Sequence, residues 1–549
     1  GWICDISEVK ALALTDDVVE FMALQLQKLP EETQDILKLA ACIGNQFDLT
    51  TLAIVSQNSE AQTALYLWKA LQSGLILPQS EVYKFYLESE TNTNLFPEKI
   101  VNYKFLHDRV QQAAYSLIPD NQKQKTHYHI GQLLLQQTSP EAIEERIFEL
   151  VNQLNYGTGL IPEQKQRTQL AKLNFIATRK ARSAIAYQAG REYASIGLSL
   201  LGENAWQNQY EITLAFHDLA AELASLCGNF EEMEQFVETV IANARSLIEQ
   251  INVYRIRIIS NVSRNKLTEA ITIGLQILQK FGVTFPETPT LEEIQQSIAE
   301  VCQLIGDREI EDLINLPIKT DVEKIAIIQI TNSIMTPAYI CGSPLTPLLI
   351  SKSVKLSIQY GNTEDSALAY AAYAIMACNM LKNVDMGVKF GELALGVVSK
   401  FDAKAFKPEI LDVIGFFILH RKSHIRKTLP VVQEGYAVGL EVGNLQFAGY
   451  NSNVFCFNSF WCAQPLATLE HETRAYCNWL VQFNQLTTAN WCRIYWQSIL
   501  NLLGVAEHPS ILSGEALQEA EFLPQLIEAH DSGGLFKFNL CKLMLCLLF

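Results

Sequence analysis

The sequence predicts a mainly α protein, in which a small winged-helix domain of helices and a β-hairpin is followed by a tetratricopeptide-like α-solenoid. Three observations predict it. Segments rich in β-formers are confined to about 74–106, and from about 121 onward apolar residues recur at i, i+3 and i+4 in runs separated by Gly, Asn and Pro. The third is repetition, because three of the later runs superimpose on one another.

The N-terminal elements follow in order. Thr15 and Asp16 are positioned to cap a helix carrying Val18, Val19, Met22, Leu26 and Leu29, and Pro30 stops it and opens the next. That second helix bears Ile36, Leu37, Leu39 and Ala40. Asp48 caps a short helix through Leu52 to Val55, and Glu60 to Gln72 forms another, ended by Gly74. GLILP at 74–78, VYKFYL at 82–87 and VNYKFL at 101–106 then read as strands around a polar loop. Three helices and a hairpin is the order of a winged helix. HDRVQQAAYSLI at 107–118 closes it, stopped by Pro119.

The repeats are GNFEEMEQFVETVIANA at 228–244, RNKLTEAITIGLQILQKFG at 264–282 and KNVDMGVKFGELALGVVSKF at 382–401. In each, an apolar residue (Phe230, Leu267, Val384) precedes a small or slim one (Met233, Ala270, Gly387) by three positions, and another apolar one (Phe236, Ile273, Phe390) follows. The first two copies lie 37 residues apart, and the Gly-Asn steps at Gly361 and Gly443 lie 82 apart, spacings close to those of helix-turn-helix solenoids. Ala177 with Ala181, and Ala186 with Gly190 and Ala194, let helices approach closely. The expected division is 1–120 for the winged-helix part and 121–549 for the helical repeats, with a further division near 310–320.

Composition bounds the function. With 49% hydrophobic residues in 549, the chain buries ample core and disorder is excluded as its overall state. Twelve Cys without a CxxC pair fit free thiols in a reducing compartment, so a cytoplasmic location is expected. No run reaches the ~18 apolar residues of a membrane span. Both ends read as cuts, since the chain opens at Gly1 and closes inside the apolar run Leu540 to Phe549. A net charge of −17 and a pI near 5.1 oppose nucleic acid. One basic stretch, His420, Arg421, Lys422, His424, Arg426 and Lys427, is expected on a solvated helix face.

Motifs of catalysis are missing. There is no G-x-x-x-x-G-K-[ST], no Gly-Lys step, no G-x-S-x-G and no H-E-x-x-H. His107-Asp108-Arg109 has the letters of a kinase catalytic loop in another order, without its Asn. His420 and His424 share a face at i, i+4 but lack an acidic or Cys ligand nearby, and His127 and His129 point to different faces, so no metal is expected. FLHDRVQQAAYSLIP at 105–119 is the cluster that stands out. His107 sits where strand gives way to helix, able to reach an adjoining domain, and Asp108 is positioned to cap the helix.

LQKLPEETQDILKLAACIGNQFDLTTLAIV at 26–55 and YKFLHDRVQQAAYSLIP at 103–119 resemble the segment after the ATPase core in large bacterial, cyanobacterial-type multidomain kinases. These are built as a Ser/Thr kinase, a STAND-type AAA ATPase, a GAF sensor and a histidine kinase. HIGQLLLQ at 129–136, IFELVNQLNYG at 147–157, LSIQYGNTEDSALAYAAYA at 356–374 and LEVGNLQFAGY at 440–450 resemble the same proteins. The resemblance implies that residues 1–120 end an ATPase module, and that the remainder leads towards the sensor. Leu106-His107-Asp108 is also similar to the Met-His-Asp motif of STAND winged helices, which implies that His107 contacts the phosphate of a nucleotide held by an upstream domain. Leu stands here for Met.

The expected function is thus regulatory: a non-catalytic segment of a two-component signal-transduction kinase, binding no cofactor itself, with ATP or ADP on the missing upstream domain. Its expected partners are its own ATPase, kinase and sensor domains and a protein or small molecule on the repeat surface. Two rivals stand beside it, a nucleotide-independent scaffold and a winged-helix transcription regulator. For the latter, the helix in the recognition position, EAQTALYLWKALQ at 60–72, lacks the Arg and Asn surface for reading a groove.

Overall fold

The computed structural model describes residues 18–79, 101–483, 485–529 and 531–549. The chain divides into two compact units, residues 1–182 with 186–223, and residues 183–185 with 224–549. It is mostly helical, with one three-stranded antiparallel sheet. The Thr15–Asp16 cap and the strand expected at 82–87 lie outside the described residues.

In the first unit, α1 (Val18–Leu26), α2 (Glu31–Ile43), α3 (Leu49–Ser56) and α4 (Glu60–Gln72) gather on the sheet. Pro30 opens α2, and the Asp48 carboxylate accepts the Thr51 N–H at 2.7 Å to cap α3. The strands are β1 (Gln46–Asp48), β2 (Ile76–Pro78) and β3 (Asn102–Phe105), in the order β1-β3-β2. Phe47 faces Tyr103 across β1 and β3, and Leu77 faces Lys104 across β2 and β3. Alternation buries Val101, Tyr103 and Phe105 with Ile36, Leu52 and Leu67, while Asn102 and Lys104 face out. β1 escaped the sequence reading, because three residues are too few to display alternation.

α5 (Asp108–Ser116), α6 (Asp120–Gln137) and α7 (Ile143–Leu154) follow, then α8 (Gln164–Ser183), α9 (Tyr187–Leu201) and α10 (Tyr210–Leu226). Buried His127 on α6 stands in a hydrogen-bond chain: Tyr115 Oη at 3.0 Å, Gln153 Oε1 at 2.7 Å, and Gln153 Nε2 donating to the Cys42 carbonyl at 2.8 Å. Nδ1 must donate to the Gln153 oxygen, so Nε2 accepts from Tyr115. Burial holds its pKa below the ordinary 6.5.

The second unit continues through α11 (Phe230–Asn243), α12 (Ile251–Ser263), α13 (Leu267–Lys280), α14 (Leu291–Ile305), α15 (Val322–Ile340), α16 (Thr346–Tyr360), α17 (Ser366–Asn379) and α18 (Val384–Lys400). α19 (Lys407–Val413) runs into a π turn at Ile414–Ile418, and α20 (Leu429–Glu441), α21 (Leu445–Trp461), α22 (Leu466–Gln482), α23 (Leu486–Leu502), α24 (Glu519–Glu528) and α25 (Ser532–Leu548) complete the unit. α15 contains Pro337 in its last turns.

The three superimposable runs become α11, α13 and α18, and their middle residues Met233, Ala270 and Gly387 are all buried. A common turn leads into several helices. Gly228, Asn265, Lys382 and Gly443 each adopt positive φ two residues before a helix starts. The next amide reaches back five residues in three of them: Asn229 to Ala224, Lys266 to Asn261 and Asn444 to Gly439. This is a Schellman closure, for which Gly and Asn are the fitting residues. At Gly274 on α13 an added Cβ would lie 2.2 Å from Ile334 Cγ2, so only glycine lets α13 and α15 meet.

The basic stretch departs from expectation. Residues 419–421 and 425–428 form 3₁₀ turns rather than one helix, and His424 caps the second through Nδ1, 3.1 Å from Arg426 N. The run has no apolar stripe whose burial would hold a helix. Its cations are engaged locally: Arg421 donates to Phe417 O and Asn379 Oδ1, Lys422 pairs with Asp385, and Arg426 donates to Cys462 O.

Candidate functional site

Two places in the molecule gather chemistry. The first is the corner that joins β3 to α5. Phe105 N donates to the Asn45 carbonyl at 2.9 Å and the Asn45 amide donates to Asp108 Oδ1 at 2.8 Å, tying the helix start to the loop before β1. His107 is extended, with φ −153° and ψ 151°, and its Nδ1 accepts the Arg109 N–H at 3.2 Å. The capping role expected of Asp108 therefore falls to His107. The reason is register: the helix begins at Asp108, so the residue before it holds the cap geometry. Asp108 adds a negative charge to the first turn, where the helix dipole favours it.

Because Nδ1 accepts, the neutral imidazole carries its proton on Nε2. His107, Asp108 and Arg109 are all exposed, as is Leu106 at 53%. The corner thus presents a ring N–H donor on a fixed backbone. Arg109 lies alongside, its guanidinium held by Gln112 Oε1 at 3.0 Å.

The second place is a polar cluster in the second unit, drawn from α12, α15, the start of α17, α19 and α21. Gln329, Asn332 and Thr336 lie on one face of α15 at helical spacing. Gln329 donates to Asp365 Oδ2 at 3.3 Å, Asn332 donates to the Asp365 carbonyl at 2.9 Å, and Thr336 Oγ1 lies 3.4 Å from Glu409 Oε1. Glu409 and Asp412 are one turn apart on α19. On α21, Phe457 meets Phe416 at 5.6 Å, Tyr450 feels the charges of both acids, and Asn451 donates to the Pro408 carbonyl at 2.8 Å. Tyr450 also stacks on Trp491 of α23 at 6.2 Å, and Lys537 of α25 stands 4.3 Å over that indole.

Electrostatics sets this cluster apart. Burial pushes Asp412 up to about 7. It pushes Glu409 up to about 8, with neighbouring Asp412 adding to the rise and Thr336 and Arg255 opposing it. Asp365 is also raised by burial, against the pull of Arg255 and the Gln329 hydrogen bond. Lys319, buried near Asp365, falls to about 8 through burial. Arg255 Nε, Lys319 Nζ, Asp412 Oδ1 and Asn453 Oδ1 are among the side-chain atoms buried without a hydrogen-bond partner.

His420 and His424 do not share a helix face, and His129 bonds Gln57 at 3.1 Å while His127 is occupied as described. Among the described residues no group of three or more His, Cys, Asp and Glu is arranged to hold a metal ion, and no helix is long and apolar enough to cross a membrane. The cluster escaped the sequence reading. Its acids, Glu409 and Asp412, sit at an i, i+3 spacing common on any solvated helix face, and Arg255 lies more than 150 residues earlier.

No protein-family model matches the chain. Among curated proteins it is 23% identical over 548 aligned positions to the hybrid signal transduction histidine kinase G of Dictyostelium discoideum. The alignment takes in 88% of this chain and 16% of that protein, so the chain spans about a sixth of the length of the relative it matches. Among solved structures it is similar to a signal-transduction ATPase with numerous domains (STAND) carrying a tetratricopeptide-repeat sensor, from Pyrococcus horikoshii. That similarity covers 93% of this chain and 66% of the other at 12% identity, and its TM-score of 0.39 is too low to define a common fold.

Proposed function

We propose that the chain is a regulatory and sensing segment of a multidomain signal-transduction kinase, with the helical hairpins of the second unit as the receiving surface. The observation that carries this reading is the similarity to a hybrid histidine kinase along 88% of the chain. A buried polar cluster among packed helices suits a sensor, because a change of charge or contact there changes how neighbouring helices pack. Phosphoryl transfer and ATP belong, in this reading, to other parts of the parent protein.

In its finer form, residues 1–120 are a winged helix that closes a STAND-type ATPase module, and the repeats bind the ligand or partner that releases it. The order helix, strand, two helices, strand, strand supports the winged helix. An exposed Nε2–H on His107, with Arg109 beside it, supports contact with an anionic phosphate oxygen. The test is made on the full-length parent: His107→Ala is compared with wild type for retention of ADP and for autophosphorylation, alongside a form lacking residues 121–549. Faster ADP loss in His107→Ala and a changed basal output in the deletion are expected. Unchanged nucleotide retention would remove the clamp, and unchanged output in the deletion would remove the regulatory role.

A further inference from the structure

We propose that one edge of the second unit, where α15, α17 and α21 end around the π turn at 414–418, docks an acidic peptide segment carrying large apolar side chains. The proposal rests on the receiving role proposed for that unit and names the place and the chemistry of what is received.

A band of aromatic surface is the first argument. Tyr339, at the end of α15, meets Phe417 at 5.7 Å, and Phe417 meets Phe416 at 4.7 Å. Phe416 in turn meets Phe457 at 5.6 Å, and Phe457 meets Trp461, the last residue of α21, at 6.3 Å. All five rings reach solvent, and the outer two, Tyr339 and Trp461, are 45% and 36% exposed. Ile340 and Met380, at the ends of α15 and α17, are exposed beside them. Single exposed apolar residues are ordinary on a protein surface, whereas a connected set marks an interaction site. A π turn, a form found frequently at functional sites, holds the two middle rings in contact.

The second argument is charge. Between Ile414 and Pro430 the chain has no Asp or Glu, and it carries Arg421, Lys422, Arg426 and Lys427. Lys422 is neutralised by Asp385. Arg421 donates only to the uncharged oxygens of Phe417 and Asn379, and Arg426 only to that of Cys462. These bonds set one guanidinium at the Phe417 carbonyl and the other at the carbonyl that follows Trp461, near the two ends of the band. Exposed Lys427 forms no ion pair among the described residues. Cations at helix C-termini complement the helix dipole, which accounts for Arg421 and Arg426 and leaves Lys427 and the rings without a role. Three positive charges beside apolar rings, on a chain of net charge −17, complement a segment that is acidic and apolar. An anionic bilayer would meet the repulsion of the whole chain, while a short peptide feels only charges within the ~8 Å that salt leaves unscreened.

The experiment probes the whole chain, fluorescently labelled, on a peptide array in which Asp and Glu are interspersed with Phe, Trp and Leu, beside a matched array with Lys in place of every acid. Saturable binding to members of the acidic array, and none to the matched one, is expected. For the tightest peptide, measured by fluorescence anisotropy, Trp461→Ala should weaken binding about tenfold or more, the loss of an aromatic anchor. Lys427→Glu should weaken it about threefold or more, the reversal of one exposed charge. Both side chains reach solvent, so the fold is retained, and circular dichroism checks that it is. The proposal is overturned if no acidic peptide binds, if the Lys array binds as well, or if either variant binds unchanged. Co-sedimentation with phosphatidylserine vesicles that Lys427→Glu abolishes would overturn it in favour of a membrane surface. Because docking is read on this chain and regulation on the parent's output, either idea can fail while the other stands.

Discussion

Asp412 offers a sharp test of the buried polar cluster, because replacing it by asparagine should make the protein more stable, and increasingly so as pH rises. Its carboxyl is buried with an oxygen that no donor reaches, and its pKa goes from the ordinary 3.8 to about 7. In the unfolded chain the group ionises near 4, and in the folded chain it holds its proton until near neutrality. The folded state therefore binds more protons throughout that window, so stability falls as pH rises and levels off above about 7. At about 1.4 kcal/mol per pKa unit the cost is about 2 kcal/mol at pH 5 and about 4 kcal/mol at pH 8. A carboxamide at this position carries no charge to desolvate, and its introduction also relieves the repulsion on Glu409. Thermal unfolding of wild type and Asp412→Asn at pH 5 and pH 8 reads the difference, with the gap in Tm widening by roughly 4 °C at the higher pH. A gap that is constant or narrows would refute the claim that Asp412 is a desolvated acid.

Other perturbations follow from the same geometry. His127, held neutral by burial between Tyr115 and Gln153, has a pKa below its unfolded value, so the wild type should lose stability as pH falls below about 6.5. His127→Gln should flatten that part of the profile, measured by urea midpoints at pH 5 and 7. Gly274→Ala forces a methyl against Ile334 and should cost about 1–3 kcal/mol, with Ile334→Ala relieving part of it in a double-mutant cycle. His107→Ala removes the cap of α5 and should cost about 0.5–2 kcal/mol, seen as faster hydrogen exchange at Asp108 to Val110.

The sequence was a good guide where a pattern is local. Helix 60–72 has its expected bounds, Asp48 caps α3 as its position before an apolar run implied, and the Gly-Asn and Asn steps mark turns of positive φ. It was a poor guide where structure depends on few residues or distant ones. Three residues of β1 show no alternation, and the basic run at 420–427 has the spacing of a helix without a face to bury. His107 was legible as a junction residue, though not as the cap, because cap and first residue differ by one position of register. The polar cluster was invisible, since Arg255, Thr336 and Glu409 come from helices far apart in the chain.

Helix α15 has a property of its own. Pro337 has no amide hydrogen, so the Ser333 carbonyl one turn earlier lacks its rung in the α15 ladder. Beyond that missing rung the helix end is closed by backbone, Cys341 N donating to the Pro337 carbonyl at 3.1 Å, and Tyr339 stands edge-on to Phe417 at 5.7 Å. A disturbance of this end of α15 would reach the π turn at 414–418 through those two aromatic rings.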